Sequence, residues 1–373
     1  MEIIGAKVYT EKGIFEERSV CTADGLIAEA SPDEVIIDGA GCYLIPGVID
    51  IHFHGWMGHA FCDGSVEAIE AMARYEASRG VTAMIPATMT LGREKLLHIC
   101  RTAAAYSAEK GAALCGIYLE GPFVSQERLG AQNSDYIRTP GVGFFRELQE
   151  ASGQMIRLLA IAPELPGAEK LIRELKDEVV LSVAHTAADY EQAMWAFQNG
   201  VHHVTHLYNA MSGLNHRAPG VVGAAADTSS VDVELICDGI HVHPAIVRQT
   251  FRMFGDDRII LISDSMEATG MPDGDYMLGG QRVVRKGRRA TLTDGTIAGS
   301  AMDLMDCLRI AVLNMGIPLE SAVKCATVNP AKSVGIFDRY GSITIGKAAD
   351  LLLLREEDLR LEKVILRGET LPA

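Results

Sequence analysis

Five apolar stretches of this chain each run into a group that can hold a metal ion or move a proton. Val48-Ile49-Asp50-Ile51 leads into His52-Phe53-His54, Gly116-Ile117-Tyr118-Leu119 into Glu120, and Leu181-Ser182-Val183-Ala184 into His185. Val204-Thr205 leads into His206, and Ile260-Leu261-Ile262-Ser263 into Asp264. Imidazole and carboxylate are ligands for Zn²⁺ or Fe²⁺. In an extended strand, residues two apart share a face, so His52 and His54 can reach one ion. Singly these residues say little, because a lone buried His is usually a hydrogen-bonded core group and an Asp ending a strand is often a helix cap. Their recurrence at five apolar strand ends points to a metal site. His59, His98, His202, His203 and His243 lack the pattern and read as structural. A metal ion acidifies water and polarises a carbonyl oxygen. A nearby carboxylate can then take the water's proton and pass it to a leaving nitrogen. Asp264, away from the other carboxylate Glu120, is the candidate for that shuttle. The residues alone reach metal-assisted hydrolysis of an amide-like or ester-like bond, without a substrate.

Elements must bring these groups together. Eight candidate strands fall at 48–53, 81–85, 115–119, 156–161, 179–184, 201–205, 233–237 and 258–263, separated by helical patterns. One helix opens near Ser65, carries Val66, Ile69, Met72 and Ala73 on a face, and stops at Gly80. Another opens at Asp189 with Gln192 three residues on, a capping-box spacing. Alternating strands and helices predict an α/β fold, and eight units match a (β/α)8 TIM-like barrel better than an open sheet. In a barrel every parallel strand delivers its C-terminal end to one mouth, where the named side chains would converge. Residues 46–340 are assigned to this barrel. Short strand-like pieces at 1–45 and 341–373 are too few on either side to stand alone, and together they predict a small β-sandwich domain built from both chain ends. The Gly-rich stretch 271–300, with Met277-Leu278-Gly279-Gly280 and Ala290-Thr291-Leu292-Thr293, breaks the rhythm and reads as an excursion toward that small domain.

Composition narrows the function classes. The 373 residues are 48% hydrophobic and 22% charged, close to a globular average and ample for a buried core. Lys and Arg total 34 against 49 Asp and Glu, a formal charge of −15. Such a field repels phosphate polymers and anionic lipid, so no nucleic-acid or membrane partner is expected, though one small anion can still sit in a local basic pocket. No apolar run approaches the length of a membrane span, and Met1-Glu2-Ile3-Ile4-Gly5-Ala6-Lys7 lacks a signal-peptide layout. Eight scattered cysteines form no CxxC pair, and the expected compartment is a reducing cytoplasm.

Longer strings go further. Pro46-Gly47-Val48-Ile49-Asp50-Ile51-His52-Phe53-His54-Gly55, Glu120-Gly121-Pro122-Phe123, His206-Leu207-Tyr208-Asn209-Ala210-Met211, Cys237-Asp238-Gly239-Ile240-His241 and Ser263-Asp264-Ser265-Met266-Glu267-Ala268-Thr269-Gly270 span most of the chain, and Gly295-Thr296-Ile297-Ala298-Gly299-Ser300 continues them. The chain resembles the amidohydrolase superfamily, and within it the deacetylases of phosphorylated amino sugars. HxH marks only the superfamily; the HLYNAM string with DGIH is more restrictive. The resemblance implies hydrolysis of N-acetyl-D-glucosamine 6-phosphate to D-glucosamine 6-phosphate and acetate. It carries over Glu120, His185 and His206 as metal ligands and Asp264 as the acid/base residue. Some relatives lack HxH and use one ion; with His52 and His54 present, two ions bridged by Glu120 are implied, either Zn²⁺ or Fe²⁺. His241 would donate to the acetyl oxygen. The backbone at Asn209 and Ala210 and the side chain of Arg217 would hold the phosphate, and a homodimer is implied because a phosphate loop crosses the interface in relatives. That loop usually carries a basic pair and a His; here Arg128, Leu129 and Gln132 stand there, so Arg128 keeps one charge. Ala218 stands where an acidic residue is common. These departures keep open a related amidohydrolase acting on another N-acyl compound or an unphosphorylated amino sugar. A non-catalytic scaffold is disfavoured, because every candidate ligand and Asp264 are present.

Overall fold

The computed structural model describes residues 1–31, 35–107 and 110–372; positions 32–34 and 373, within the stretches assigned to the small domain, lie outside the described residues. All eight expected strands form. They are β1 (Val48–Asp50), β2 (Val81–Met84), β3 (Ile117–Leu119), β4 (Ile156–Ile161), β5 (Val180–Val183), β6 (His203–Val204), β7 (Asp232–Ile236) and β8 (Ile259–Ile262). A helix follows each: α1 (Val66–Ser78), α2 (Arg93–Ala105), α3 (Val142–Ala151), α4 (Ala168–Leu175), α5 (Tyr190–Gln198), α6 (Gly220–Asp227), α7 (Pro244–Phe254) and α8 (Leu304–Leu313). The helix starts follow the sequence signals. Ser65 accepts from Ala68 N at 3.1 Å to open α1. Asp189 accepts from Gln192 N at 2.8 Å while the Gln192 side chain accepts from Asp189 N at 3.0 Å, completing the box that opens α5.

Strands β3 to β8 lie side by side in chain order as one parallel six-stranded sheet. Strand β2 pairs in parallel with β1 and with residues 113–114 in a second sheet. Backbone bonds run between the two sheets at both edges. Thr88 N donates to Tyr118 O at 2.9 Å and Tyr118 N to Pro86 O at 3.0 Å. On the other side, Asp264 N donates to His52 O at 3.0 Å and His54 N to Ser265 O at 2.7 Å. The buried Asp50 carboxylate adds to this edge by accepting from Ser263 N at 3.5 Å.

Alternation along the strands splits the core. On β4, Leu159 and Ile161 pack with the helix residues Ile69, Met72, Leu96 and Phe145. Leu158 and Ala160 face the other way, into a cluster with Ile49, Tyr118, Ile236 and Ile260. Each such fully buried Leu or Ile contributes about 1.5–3 kcal/mol, which holds the strand ends rigidly in place.

The two chain ends pair. Residues 42–46 lie between 7–9, in parallel, and 351–355, antiparallel with Leu44 opposite Leu353. A second sheet has 2–4 at its centre, flanked by 20–23 and 36–38. Ile3, Val20 and Ile27 of that sheet share one buried cluster with Val8, Leu44 and Leu351 of the first. The stretch 271–300 behaves otherwise. Its four strands, Gly274–Leu278, Gln281–Lys286, Arg289–Leu292 and Ile297–Ser300, pair with one another in a separate antiparallel sheet. Local turn chemistry explains this: Gly279 and Gly280 both have positive φ, 56° and 85°, the two-residue turn that closes a hairpin without splaying its strands. Leu278, Val283, Ala290 and Ala298 then pack on Met89, Met266 and Ala268, beside the ends of β2 and β8.

Candidate active site

The strand-end residues meet. Glu120, following β3, sits at the centre, with His185 Nε2 at 3.0 Å and His206 Nε2 at 3.1 Å from its Oε1. His52 Nε2 lies 3.6 Å from the same oxygen, and His54 Nε2 lies 3.3 Å from Oε2. Asp264 Oδ1 is 3.3 Å from His54 Nε2 and 3.8 Å from His52 Nε2. All six residues are buried. Gly121, after Glu120, has φ 92°, and a Cβ there would fall 2.1 Å from Thr90 Oγ1, so only glycine permits this turn.

Outer contacts fix which nitrogen of three of the rings faces inward. His52 Nδ1 donates to Glu234 Oε2 at 2.8 Å, His54 Nδ1 to Ala87 O at 3.2 Å and His185 Nδ1 to Arg128 O at 3.0 Å. With their protons turned outward, the neutral rings aim Nε2 lone pairs at a carboxylate. His185 Nε2 and His206 Nε2 also approach each other to 3.1 Å. Lone pairs held this close to one another and to a carboxylate repel unless cations lie among them. The donor set fits divalent ions: His52, His54 and Glu120 form one group, and Glu120, His185 and His206 a second, each with ligand atoms within 4.8 Å of one another.

The close packing of these groups also shifts their titration. Burial pushes the His54 imidazole down, but hydrogen bonds to Asp264 and Glu120 outweigh it and raise it to about 9. Burial would raise Glu120; the His52 charge and the hydrogen bonds from His185 and His206 prevail and hold it well below the ordinary carboxylate range. Asp264 is likewise held low, its burial outweighed by the bond to His54 and the nearby imidazoles.

Three of these residues adopt left-handed backbone: His185 at φ 42°, His206 at φ 28° and Asp264 at φ 49°. Non-glycine residues there cost on the order of 1–3 kcal/mol each, and such strain clusters at functional sites.

A cavity of about 230 Å³ opens on this cluster. His241, Asn209, Ala210 and Gln132 line it. Asp238 accepts from His241 Nδ1 at 2.7 Å and orients the ring. Burial lowers the His241 imidazole, but the bond to Asp238 prevails and raises it. Gln132 is committed: its amide donates to Glu120 Oε2 at 2.9 Å, and its Oε1 accepts from Thr90 N at 2.7 Å. Arg128 and Arg217 are exposed and neither lines the cavity; Arg128 meets the cluster only through its backbone carbonyl, the acceptor for His185.

Several contributors escape a reading of the sequence. Glu234 is fully buried on β7, where a carboxylate set between Val233 and Leu235 is the available signal. Asp238 stands in one of the quoted strings without a role. Leu278, Thr296, Ile297 and Gly299 wall the cavity from the 274–300 sheet, and nothing in their types announces it.

Imidazoles and carboxylates at the ends of parallel strands, converging on a central carboxylate, define a metal-dependent hydrolase of the α/β class. Residues 43–371 match the Amidohydrolase family, and the chain belongs to it. It is 38% identical to the N-acetylglucosamine-6-phosphate deacetylase of Bacillus subtilis (strain 168), over 97% of this chain and 94% of that one. It is 33% identical to the N-acetylgalactosamine-6-phosphate deacetylase of Escherichia coli O157:H7, over 97% of each. The structure of a mutant N-acetyl-D-glucosamine-6-phosphate deacetylase from Mycobacterium smegmatis, in complex with N-acetyl-D-glucosamine-6-phosphate, superposes with a TM-score of 0.91 at 32% identity, covering 99% of this chain and 98% of that chain.

Proposed function

We propose that this chain hydrolyses the N-acetyl group of N-acetyl-D-glucosamine 6-phosphate, giving D-glucosamine 6-phosphate and acetate. The observation that carries the reading is the convergence of His52, His54, His185, His206 and Asp264 on Glu120 beneath one cavity. His52, His54, Glu120, His185 and His206 would hold two divalent ions, zinc or ferrous iron, Glu120 being common to both groups. Such ions supply Lewis acidity, making water a better nucleophile and the amide carbonyl a better electrophile. Asp264, held as the carboxylate, takes the proton of the attacking water and delivers it to the amine nitrogen as the C–N bond breaks. His241, whose hold on a proton the bond to Asp238 strengthens, donates from Nε2–H to the acetyl oxygen as negative charge develops there. Gln132 holds Glu120 in register. The backbone at Asn209 and Ala210 and the Arg217 guanidinium take the phosphate, and Arg128 reaches the neighbouring subunit's substrate in a homodimer; arginine suits phosphate through its planar fork.

We read the two parallel sheets as one closed (β/α)8 barrel over 46–340, on the backbone bonds that join their edges. The terminal sheets of 1–45 and 341–373 are read as a small β-sandwich around their shared cluster. No helix among the described residues is long and apolar enough to cross a membrane; we place the protein in the cytoplasm on its cysteine pattern.

A second reading, an amidohydrolase for an unphosphorylated amino sugar or another N-acyl compound, is favoured by one observation: both candidate phosphate arginines are exposed and outside the cavity wall. Acetate release separates the two. Protein supplied with zinc or ferrous iron is assayed on N-acetyl-D-glucosamine 6-phosphate, on the plain sugar and on the galacto epimer. Turnover confined to phosphorylated sugars supports the first reading; equal kcat/KM on the plain sugar sinks it.

A further inference from the structure

Strand β7 places a carboxylate behind the site that no step above uses. Glu234 is fully buried, and its Oε2 accepts from two ligand-bearing segments at once: from His52 Nδ1 at 2.8 Å and from His206 N at 3.0 Å. Its other oxygen, Oε1, has no hydrogen-bond partner among the described residues and faces His203 Nε2 at 3.8 Å. His203 is in turn anchored through Nδ1, 2.9 Å from Ser182 Oγ, which lies 2.6 Å from Thr205 Oγ1. Thr205 bonds the Tyr118 hydroxyl. A polar chain therefore runs through the interior between β3, β5 and β6 and ends on Glu234.

A buried carboxylate is costly to desolvate, and an apolar residue of similar size would otherwise suit this strand. Its position gives a reason for its presence. Metal-ligating histidines commonly donate their outer N–H to a carboxylate, which fixes the tautomer and strengthens the inner nitrogen as a ligand. The three other rings lack this arrangement. His54 and His185 donate to backbone carbonyls, and His206 Nδ1 has no partner among the described residues. Of the four candidate ligand rings, His52 alone is backed by a carboxylate among the described residues.

We propose that Glu234 is a positioning residue that sets the ion affinity of the His52–His54 group. The Glu120–His185–His206 group depends on it much less. This inference rests on the two-ion reading above. Glu234→Gln keeps an oxygen acceptor of the same shape and removes the charge. The full-length protein, stripped with chelator, is titrated with Co²⁺ and followed by its visible absorption and by ion content after dialysis. Wild type is expected to take up two ions. In Glu234→Gln the first should bind as in wild type, while the second weakens by about 10- to 100-fold and its absorption band changes. A purely structural role would lower the melting temperature and leave both affinities and the spectrum unmoved, and that result overturns the inference. A wild-type protein that takes up fewer than two Co²⁺ ions overturns the two-ion reading, and the inference with it. An independent measurement needs no variant at Glu234. In zinc-loaded protein labelled with ¹⁵N-histidine, the His52 ring, assigned by comparison with His52→Gln, should carry its proton on Nδ1; a proton on Nε2 refutes the inference.

Discussion

Asp264→Asn removes one function and little else. The side chain leaves the αL backbone undisturbed, because Asn and Asp tolerate φ near 49° about equally. The local backbone bonds, Asp264 N to His52 O at 3.0 Å and Ser300 N to Asp264 O at 2.6 Å, do not involve the side chain. The amide oxygen can still sit 3.3 Å from His54 Nε2 as the carboxylate does. Stability should therefore change by no more than about 1 kcal/mol, and the bound ions should stay, since His52, His54, Glu120, His185 and His206 are untouched. What disappears is the carboxylate that takes and returns the proton. Proton transfer by a positioned side chain contributes roughly 10²–10⁴-fold, or about 3–5 kcal/mol of barrier. The assay is acetate release at saturating N-acetyl-D-glucosamine 6-phosphate, with metal content and melting temperature measured on the same preparations. Turnover within about tenfold of wild type, with ions retained, refutes the assignment of Asp264 as the proton shuttle.

Other perturbations test separate parts of the molecule. Gln132→Leu leaves Thr90 N without its 2.7 Å acceptor and Glu120 without its amide donor, so denaturant unfolding should show a loss of about 1–3 kcal/mol; unchanged stability means the bonds are not made in solution. Arg217→Ala should raise KM for the phosphorylated sugar well above any effect on the plain one, and a uniform change argues against phosphate contact. Burial raises Asp350 from 3.8 to about 6, so the folded state binds its proton more tightly than the unfolded chain does. The stability this lends is complete below pH ~4 and falls as pH rises to ~6, a swing on the order of 3 kcal/mol. Asp350→Asn keeps an acceptor for Arg367 N, at 2.7 Å in the wild type, and should flatten that slope; melting curves of both proteins from pH 4 to 7 that stay parallel contradict it.

The strands are legible wherever apolar runs are long, as at 156–161, and their order follows from the alternating rhythm. The candidate ligands are legible because each interrupts or ends such a run. Strand β6 is expected and found although only His203 and Val204 are paired; its neighbours, rather than its own residues, give it away. The destination of 271–300 is not legible. Its glycines announce hairpins, but the apolar patch that receives the sheet is Met89 with Met266 and Ala268, assembled from distant segments. Gln132 reads by its place in a loop as a phosphate contact, whereas its amide turns inward to Glu120. A neutral amide serves either environment equally well, so its type cannot decide. Glu234 is easily overlooked because the other candidate groups stand at strand ends, whereas it lies inside a strand, where only its partners draw attention to it.

The left-handed backbone at residues 185, 206 and 264 bears on how such a protein can change over time. Glycine at any of these positions would relieve roughly 1 kcal/mol of strain and remove a proposed ligand or the proposed shuttle in the same stroke. Heat tolerance and turnover therefore pull these three positions in opposite directions. A library of variants sorted by melting temperature alone would drift toward folded, inert proteins, and only a screen that demands product would retain the histidines and the aspartate.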